Sequence, residues 1–174
     1  MPRLPKILAA LLGLLAFLAC GSPAAVDATE EQLKVAFLHK FIQFTAWPQL
    51  PTDDFRICML GEDSLHGNLN YLTNKRIFQL PVTVHYLVPA DSVASCQVVY
   101  LNPPNRGALQ RWRRFLANQP ILTVSDDADA WDENVIIVFA LEPNGIRFKA
   151  NLTAARAAGL FLRSQMLELA REVR

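Results

Sequence analysis

The stretch between residues 134 and 171 constrains the fold more than any other part of this sequence. It begins with an uninterrupted apolar run at residues 135–141, which is rich in β-branched side chains and predicts a buried strand. The residues Pro143, Asn144 and Gly145 are typical of a tight turn. Apolar and basic side chains then alternate over residues 146–150, as in a strand with one solvent-exposed face. The stretch therefore predicts an antiparallel hairpin that needs another layer to pack against.

A helix is predicted to follow this hairpin. Asn151 can cap the helix with its side-chain oxygen, so that the helix begins at Leu152. Small and apolar residues then recur at alternating spacings of three and four, which predicts one helix with a continuous apolar stripe. The stripe consists of Leu152, Ala155, Gly159, Leu162, Met166 and Leu169.

The N-terminal residues 1–25 have the pattern of a signal peptide that directs export from the cytoplasm. Arg3 and Lys6 precede an apolar run at residues 7–19 that is too short for a comfortable membrane span, and small residues follow it. Cys20 comes directly after Ala19, so the leader could end in a lipid anchor at Cys20; cleavage near Ala25 or Ala28 fits equally well. We expect the mature domain to comprise residues 29–174.

Two cysteines, Cys58 and Cys96, remain once this leader is set aside. An even number of cysteines in an oxidising compartment favours a disulfide, which would close a loop of about 38 residues and contribute on the order of 3–4 kcal/mol to stability. Two buried free thiols are the alternative, because cysteine packs well as a small hydrophobic residue.

The remaining segments predict a single α/β domain. A helix capped by Thr29 should span residues 28–46, with an aromatic stripe that includes Phe37 and Phe41, and should end at Trp47-Pro48. Further strands are predicted at residues 55–61, 81–87, 96–101 and 120–124, with helices at residues 105–118 and around Leu65, Leu69 and Leu72. This order predicts three layers: a mostly parallel sheet, extended by the C-terminal antiparallel hairpin, between flanking N- and C-terminal helices.

Composition and motifs favour binding over catalysis. The net charge of +1 argues against a nucleic-acid-binding protein, which usually carries a basic excess. None of the three histidines has a second ligand at metal-binding spacing, and no serine lies in the glycine-flanked elbow of a serine hydrolase. The acidic loop at residues 126–132 lacks the turn glycine and the distant glutamate of an EF-hand. We therefore expect no enzyme activity, no cofactor and no metal.

Five segments together resemble the YfiR-like family of periplasmic proteins. They are AFLHKF at residues 36–41 with Trp47-Pro48; ICMLG at 57–61; Cys96 ahead of VVY at 98–100; LTVSD at 122–126; and the closing series IRF, NL, AA, GL and SQML between residues 146 and 167. The resemblance spans about residues 33–171 and implies a small, commonly dimeric α/β protein that is not an enzyme. It also implies binding to the periplasmic sensor domain of a membrane diguanylate cyclase, repression of cyclic-di-GMP synthesis, and redox tuning through Cys58 and Cys96.

Two functional hypotheses follow. In the first, a homodimeric repressor binds the sensor domain through an apolar patch formed by Trp47, Ile146, Phe148, Asn151 and Leu152, although each of these residues could instead be a core or capping residue. In the second, the protein binds a small molecule and reports it to a transporter or sensor kinase. Its pocket would then lie at the carboxyl ends of the strands, near Gly61-Glu62-Asp63 and Ser125-Asp126.

Overall fold

An eight-stranded sheet lies at the centre of the protein, whose computed structural model describes residues 28–88 and 93–174. The predicted signal peptide and Cys20 lie outside these residues. In chain order the strands are β1 (Thr45–Ala46), β2 (Phe55–Gly61), β3 (Arg76–Ile77), β4 (Leu80–Leu87), β5 (Val98–Asn102), β6 (Leu122–Ser125), β7 (Ile137–Glu142), β8 (Gly145–Ala150), β9 (Phe161–Leu162) and β10 (Glu172–Val173). The sheet has the order β10-β8-β7-β6-β5-β2-β4-β3, while β1 and β9 form a separate antiparallel pair.

The middle of the sheet is parallel, as the sequence predicts. Strands β7, β6, β5, β2 and β4 run in the same direction. Strand β8 pairs antiparallel with β7 in the predicted hairpin, in a register that places Leu141 opposite Ile146. Strand β10 then pairs parallel with β8, and β3 pairs antiparallel with β4. Neither of these short edge strands was predicted from the sequence.

The alternation of side chains along the parallel strands divides the hydrophobic residues between two cores. On β2, Ile57 and Met59 enter a larger first core, whereas Cys58 and Leu60 point to the opposite face and enter a smaller second core. Strand β5 follows the same rule. An uninterrupted apolar run thus fills both faces of the sheet, which is typical of a parallel sheet covered on both sides.

Helices cover the two faces unequally. The α-helices are α1 (Glu30–Gln43), α2 (Arg106–Leu116), α3 (Leu152–Ala157) and α4 (Ser164–Leu167), and 3₁₀ segments span Asn68–Asn74 and Ala128–Ala130. The buried hydrophobic residues of α1, α3, α4 and the first 3₁₀ segment belong to the first core, whereas those of α2 belong to the second. The predicted three-layer α/β fold with flanking N- and C-terminal helices is therefore confirmed.

Helix α1 begins where the sequence predicts but ends earlier. The Thr29 side chain accepts a hydrogen bond from the backbone N–H of Gln32, whose side chain in turn accepts one from the N–H of Thr29, and this capping box starts the helix. The helix stops at Gln43 rather than at residue 46, because Thr45 and Ala46 pair with β9.

The prediction of one long C-terminal helix is wrong. Helix α3 ends at Ala157, and Gly159 then adopts a left-handed conformation with φ +71°, which reverses the chain. After this turn Leu160 and Leu162 are buried and Phe161 is exposed, which is the alternation of a strand. Four residues of the predicted stripe, Leu152, Ala155, Leu162 and Met166, therefore lie on two short helices and β9 and pack in the first core, whereas Leu169 lies beyond α4 and is 63% exposed.

The segment that contains Leu65, Leu69 and Leu72 is also not an α-helix. It forms turns and a 3₁₀ segment, and His66 and Gly67 have positive φ values before that segment begins. The three leucines are nevertheless buried in the first core, as their spacing suggests.

Candidate partner-binding surface

An aromatic cluster joins helix α1 to the C-terminal hairpin. The ring centroid of Phe41 lies 4.7 Å from that of Phe148 on β8 and 5.5 Å from that of Phe139 on β7. Phe37, one helical turn earlier, lies 6.2 Å from Phe139 and 6.3 Å from Phe148. Phe41, Phe139 and Phe148 are buried, while Phe37 is half-buried at the edge of the cluster. The cluster fixes α1 across the hairpin.

Apolar side chains become exposed beyond this cluster, towards the turn of the hairpin. Leu141 and Ile146 form the next same-face pair after Phe139 and Phe148, since residues two apart on a strand share a face. Leu141 is 61% exposed and Ile146 is half-buried, and on α1 Leu33, one turn before Phe37, is 40% exposed. We call Leu33, Phe37, Leu141 and Ile146 the helix–hairpin surface. An exposed apolar rim continuous with a core is typical of a binding surface.

Trp47 lies at the other end of α1. Its ring packs edge-to-face against Phe55 at 5.4 Å and against Phe78 at 6.0 Å, near the start of β2. It is half-buried, and its indole Nε1 is buried without a hydrogen-bond acceptor among residues 28–88 and 93–174. The structure therefore does not bring Trp47 and Ile146 together.

Phe148 and Asn151 are enclosed within the domain. The Asn151 side chain accepts a hydrogen bond of 2.9 Å from the N–H of Ala154 and so caps α3, while its backbone N–H donates to Ile136 O. Leu152 is half-buried against the first core. In this structure Phe148 and Asn151 present no surface to a partner, so a role in partner binding would have to act through the elements that they hold in place. The partner-binding role of all five residues stays a prediction.

A buried ion pair anchors the N-terminal end of α1 near the helix–hairpin surface. The amino group of Lys34 lies 2.8 Å from Asp126 Oδ2, after β6, and 2.7 Å from Glu30 Oε1. Burial opposes the charged form of Lys34, but its hydrogen bonds to Asp126 and Glu30 outweigh burial and raise its pKa. Lys34 therefore remains charged, and α1 is held in a defined position over the sheet.

Two of the three acidic residues of the predicted pocket, at the carboxyl ends of the strands, already have partners within the domain. Asp126 is engaged by Lys34, and Asp63 accepts hydrogen bonds from the N–H groups of Leu65 and Gly67. The backbones also approach closely there: a Cβ at Gly61 would lie 1.9 Å from Asn102 O. These contacts give no support to the pocket predicted near Gly61-Glu62-Asp63 and Ser125-Asp126.

The disulfide predicted between Cys58 and Cys96 is present. It joins the middle of β2 to the residues just before β5, over a Cα–Cα distance of 6.0 Å. Both cysteines are buried in the second core, against the residues packed by α2. The cross-link therefore lies on the sheet face opposite the helix–hairpin surface.

In residues 28–88 and 93–174, no group of three His, Cys, Asp or Glu side chains is placed to hold a metal ion. No helix in the same ranges is long and apolar enough to cross a membrane.

One exposed aromatic residue near Trp47, Phe161, could not be recognised from the sequence. Phe161 is 68% exposed and follows the turn at Gly159, in a segment whose spacing suggests a helix. The alternation of Leu160, Phe161 and Leu162 was the available signal, but three residues are too few to distinguish a strand from a helix.

The sequence matches a protein-family model. The family model described as YfiR/HmsC-like matches residues 31–171, which is most of the 174-residue chain. No curated protein matches the sequence.

Proposed function

This chain belongs to the YfiR/HmsC-like family, and we propose that it binds the periplasmic sensor domain of a membrane diguanylate cyclase and represses cyclic-di-GMP synthesis. The family is one of periplasmic, non-catalytic regulators of such cyclases. The proposal for this chain therefore concerns the partner, the surface and the control of binding.

The observation that supports this proposal most directly is the exposed apolar rim of the helix–hairpin surface. Leu141 and Ile146 project at the end of a rigid hairpin, and the aromatic cluster beneath them holds α1 in place. Apolar side chains on a rigid support can bind a partner without first losing conformational freedom. The ion pair between Arg171 and Glu142, with a distance of 2.5 Å, supplies a polar border beside the turn.

The buried and half-buried residues of the predicted site would support this surface from beneath. Phe148 holds the aromatic cluster, Asn151 caps α3 and Leu152 packs on the first core. Trp47 would contribute beyond the C-terminal end of α1, a helix of 14 residues that is about 20 Å long. We propose that Ile146 contacts the partner directly, and that the other four residues act by shaping the domain.

Repression requires a difference in affinity between the two states of the cyclase. A regulator that bound the active and inactive sensor domains equally would shift no population. We therefore propose that the helix–hairpin surface fits the inactive sensor domain better. We also propose that the protein is a homodimer and that the Cys58–Cys96 disulfide tunes binding. Lipidation at Cys20 remains a proposal, testable by intact mass of the exported protein.

The test is to place a charge on the surface. We expect Leu141→Asp and Ile146→Asp to raise cellular cyclic-di-GMP and to abolish co-purification with the membrane cyclase, because a carboxylate would be desolvated at an apolar interface. Phe115→Asp is the matched control, since Phe115 is 62% exposed but lies on α2. Melting temperatures and protein levels identify any loss of folding. Repression that persists in both folded surface variants would refute the proposed interface.

A further inference from the structure

A groove lies between α1 and the 3₁₀ segment Asn68–Asn74, away from the hairpin. Its volume is about 460 Å³, within the range of roughly 300–1,000 Å³ that is typical of small-molecule sites. Val35 on α1 and Leu72 on the 3₁₀ segment form part of its apolar floor, and both belong to the first core. The floor is therefore rigid, because the same side chains hold α1 on the sheet.

Two lysines line this groove, and neither is neutralised. The amino group of Lys40 lies 3.3 Å from Gln43 Oε1, and that of Lys75 lies over the ring of Tyr71 at 4.6 Å. Among residues 28–88 and 93–174, no carboxylate forms an ion pair with either lysine. Nor is any of the described lining residues acidic. The groove thus combines an apolar floor with two uncompensated positive charges.

The third basic residue of the groove, His39, has a pKa that is lowered by burial and by the positive charges of the two lysines. His39 is therefore neutral at neutral pH and can exchange hydrogen bonds with a ligand. Tyr71, 61% exposed, offers an aromatic face beside the lysines. The groove thus offers a ligand positive charge, a neutral hydrogen-bonding ring and an aromatic face.

We propose that this groove binds a small organic anion, in which a carboxylate or phosphate group is carried on a compact apolar body. The apolar body would pack on Val35, Leu72 and the ring of Tyr71. The anionic group would lie between Lys40 and Lys75, with His39 as a hydrogen-bonding neighbour.

The number of charges distinguishes this ligand from a polyanion. Two lysines in a groove of this size suit one anionic group, whereas a nucleic acid is bound by a row of cations that follows its phosphates. The net charge of +1 offers no such excess. The site does not depend on the proposed cyclase partner, because none of the four residues of the helix–hairpin surface lines the groove.

The experiment is a calorimetric titration of the full exported, oxidised protein with 2-naphthoate and with its neutral analogue 2-naphthamide. The two probes have nearly the same apolar body, and they differ in the charge that the lysines should recognise. We expect 2-naphthoate to bind about tenfold more tightly than 2-naphthamide, and the difference to shrink at high salt.

Two variants locate the site. Lys40→Gln/Lys75→Gln should weaken 2-naphthoate binding about tenfold and leave 2-naphthamide binding unchanged. Ala36→Trp should abolish binding of both probes by filling the groove, since Ala36 is exposed on α1 and lines it. Arg111→Gln/Arg114→Gln is the charge-matched control, because both arginines are exposed on α2, and it should leave both affinities unchanged.

Three results would overturn the proposal: no binding of 2-naphthoate at millimolar concentration, equal affinity for the two probes, or full 2-naphthoate affinity in the double lysine variant. Should Ala36→Trp fail to fold, the double lysine variant still decides the outcome. Normal anion binding together with unaltered repression by Leu141→Asp would refute the cyclase interface and leave the groove standing.

Discussion

The two faces of the central sheet are stabilised by different means. The first core contains the aromatic cluster and is closed by α1, α3, α4 and a 3₁₀ segment through the burial of large side chains. The second core is smaller, is covered by α2 and by the 3₁₀ segment Ala128–Ala130, and contains the Cys58–Cys96 disulfide. The helix–hairpin surface borders the first core. A redox change therefore acts on the face opposite this surface and can reach it only through the sheet.

Strand β2 carries this connection, because its successive residues enter different cores. Cys58 lies between Ile57 and Met59, which face the first core, and β2 pairs with both β4 and β5. Loss of the cross-link would loosen the same strand that supports α1 from below. We therefore expect the first core to contribute most of the free energy of unfolding. We expect the second core to make that free energy depend on redox state and on pH.

The largest effect is expected in the first core. Phe41→Ala should lower the free energy of unfolding by about 3–5 kcal/mol, because it removes a buried ring that contacts Phe37, Phe139 and Phe148. Phe161→Ala, at an exposed ring on β9, is the control and should cost less than about 1 kcal/mol. Urea denaturation measures both. Equal losses in the two variants would contradict the dominance of the first core.

A somewhat smaller effect is expected in the second core. Removal of the disulfide by Cys58→Ala/Cys96→Ala should lower stability by about 3 kcal/mol, because a loop with a sequence separation of 38 residues is no longer closed in the unfolded chain. Thermal melting with and without reductant measures the loss. The reductant should lower the melting temperature of the wild type and leave that of the double variant unchanged. Partner binding that survives reduction would separate folding from the proposed redox control.

The smallest effect on stability is expected for Glu133, whose carboxylate links the loop before β7 to α2 through ion pairs and a hydrogen bond. The hydrogen bond from Gln110, together with Arg106 and Arg113, lowers the pKa of Glu133 below its ordinary value near 4.5. A carboxylate with a lowered pKa contributes stability above its ordinary pKa, and that contribution is lost as the pH falls below it. Glu133→Gln should therefore cost about 1 kcal/mol at pH 7 and less at pH 3.5.

Melting curves at the two pH values test this prediction. Asp129→Asn is the control, since Asp129 is exposed and forms no ion pair with any residue in ranges 28–88 and 93–174. A Glu133→Gln effect of the same size at both pH values would contradict an electrostatic tie on the second face.

Several local features could be predicted because neighbouring residues alone decide them. The Thr29 cap, the turn at residues 143–145 and the alternation of β8 each depend on side chains within a few positions. The pairing of Cys58 with Cys96 followed from the count of cysteines once the leader was set aside. By contrast, the exposure of Leu141 and the burial of Phe148 could not be separated, since both are large apolar residues of one hairpin.

By itself, the sequence determined the order of the longer strands, the parallel sheet with its terminal hairpin, and the partition of each apolar run between two faces, because these follow from the two-residue period of a strand. Only the tertiary structure decided that the chain after Leu152 breaks at Gly159, that β9 returns to pair with β1, and that the groove between α1 and the 3₁₀ segment stays open. The physical reason is that burial depends on what packs above a residue. Local spacing specifies a face but not the element that covers it.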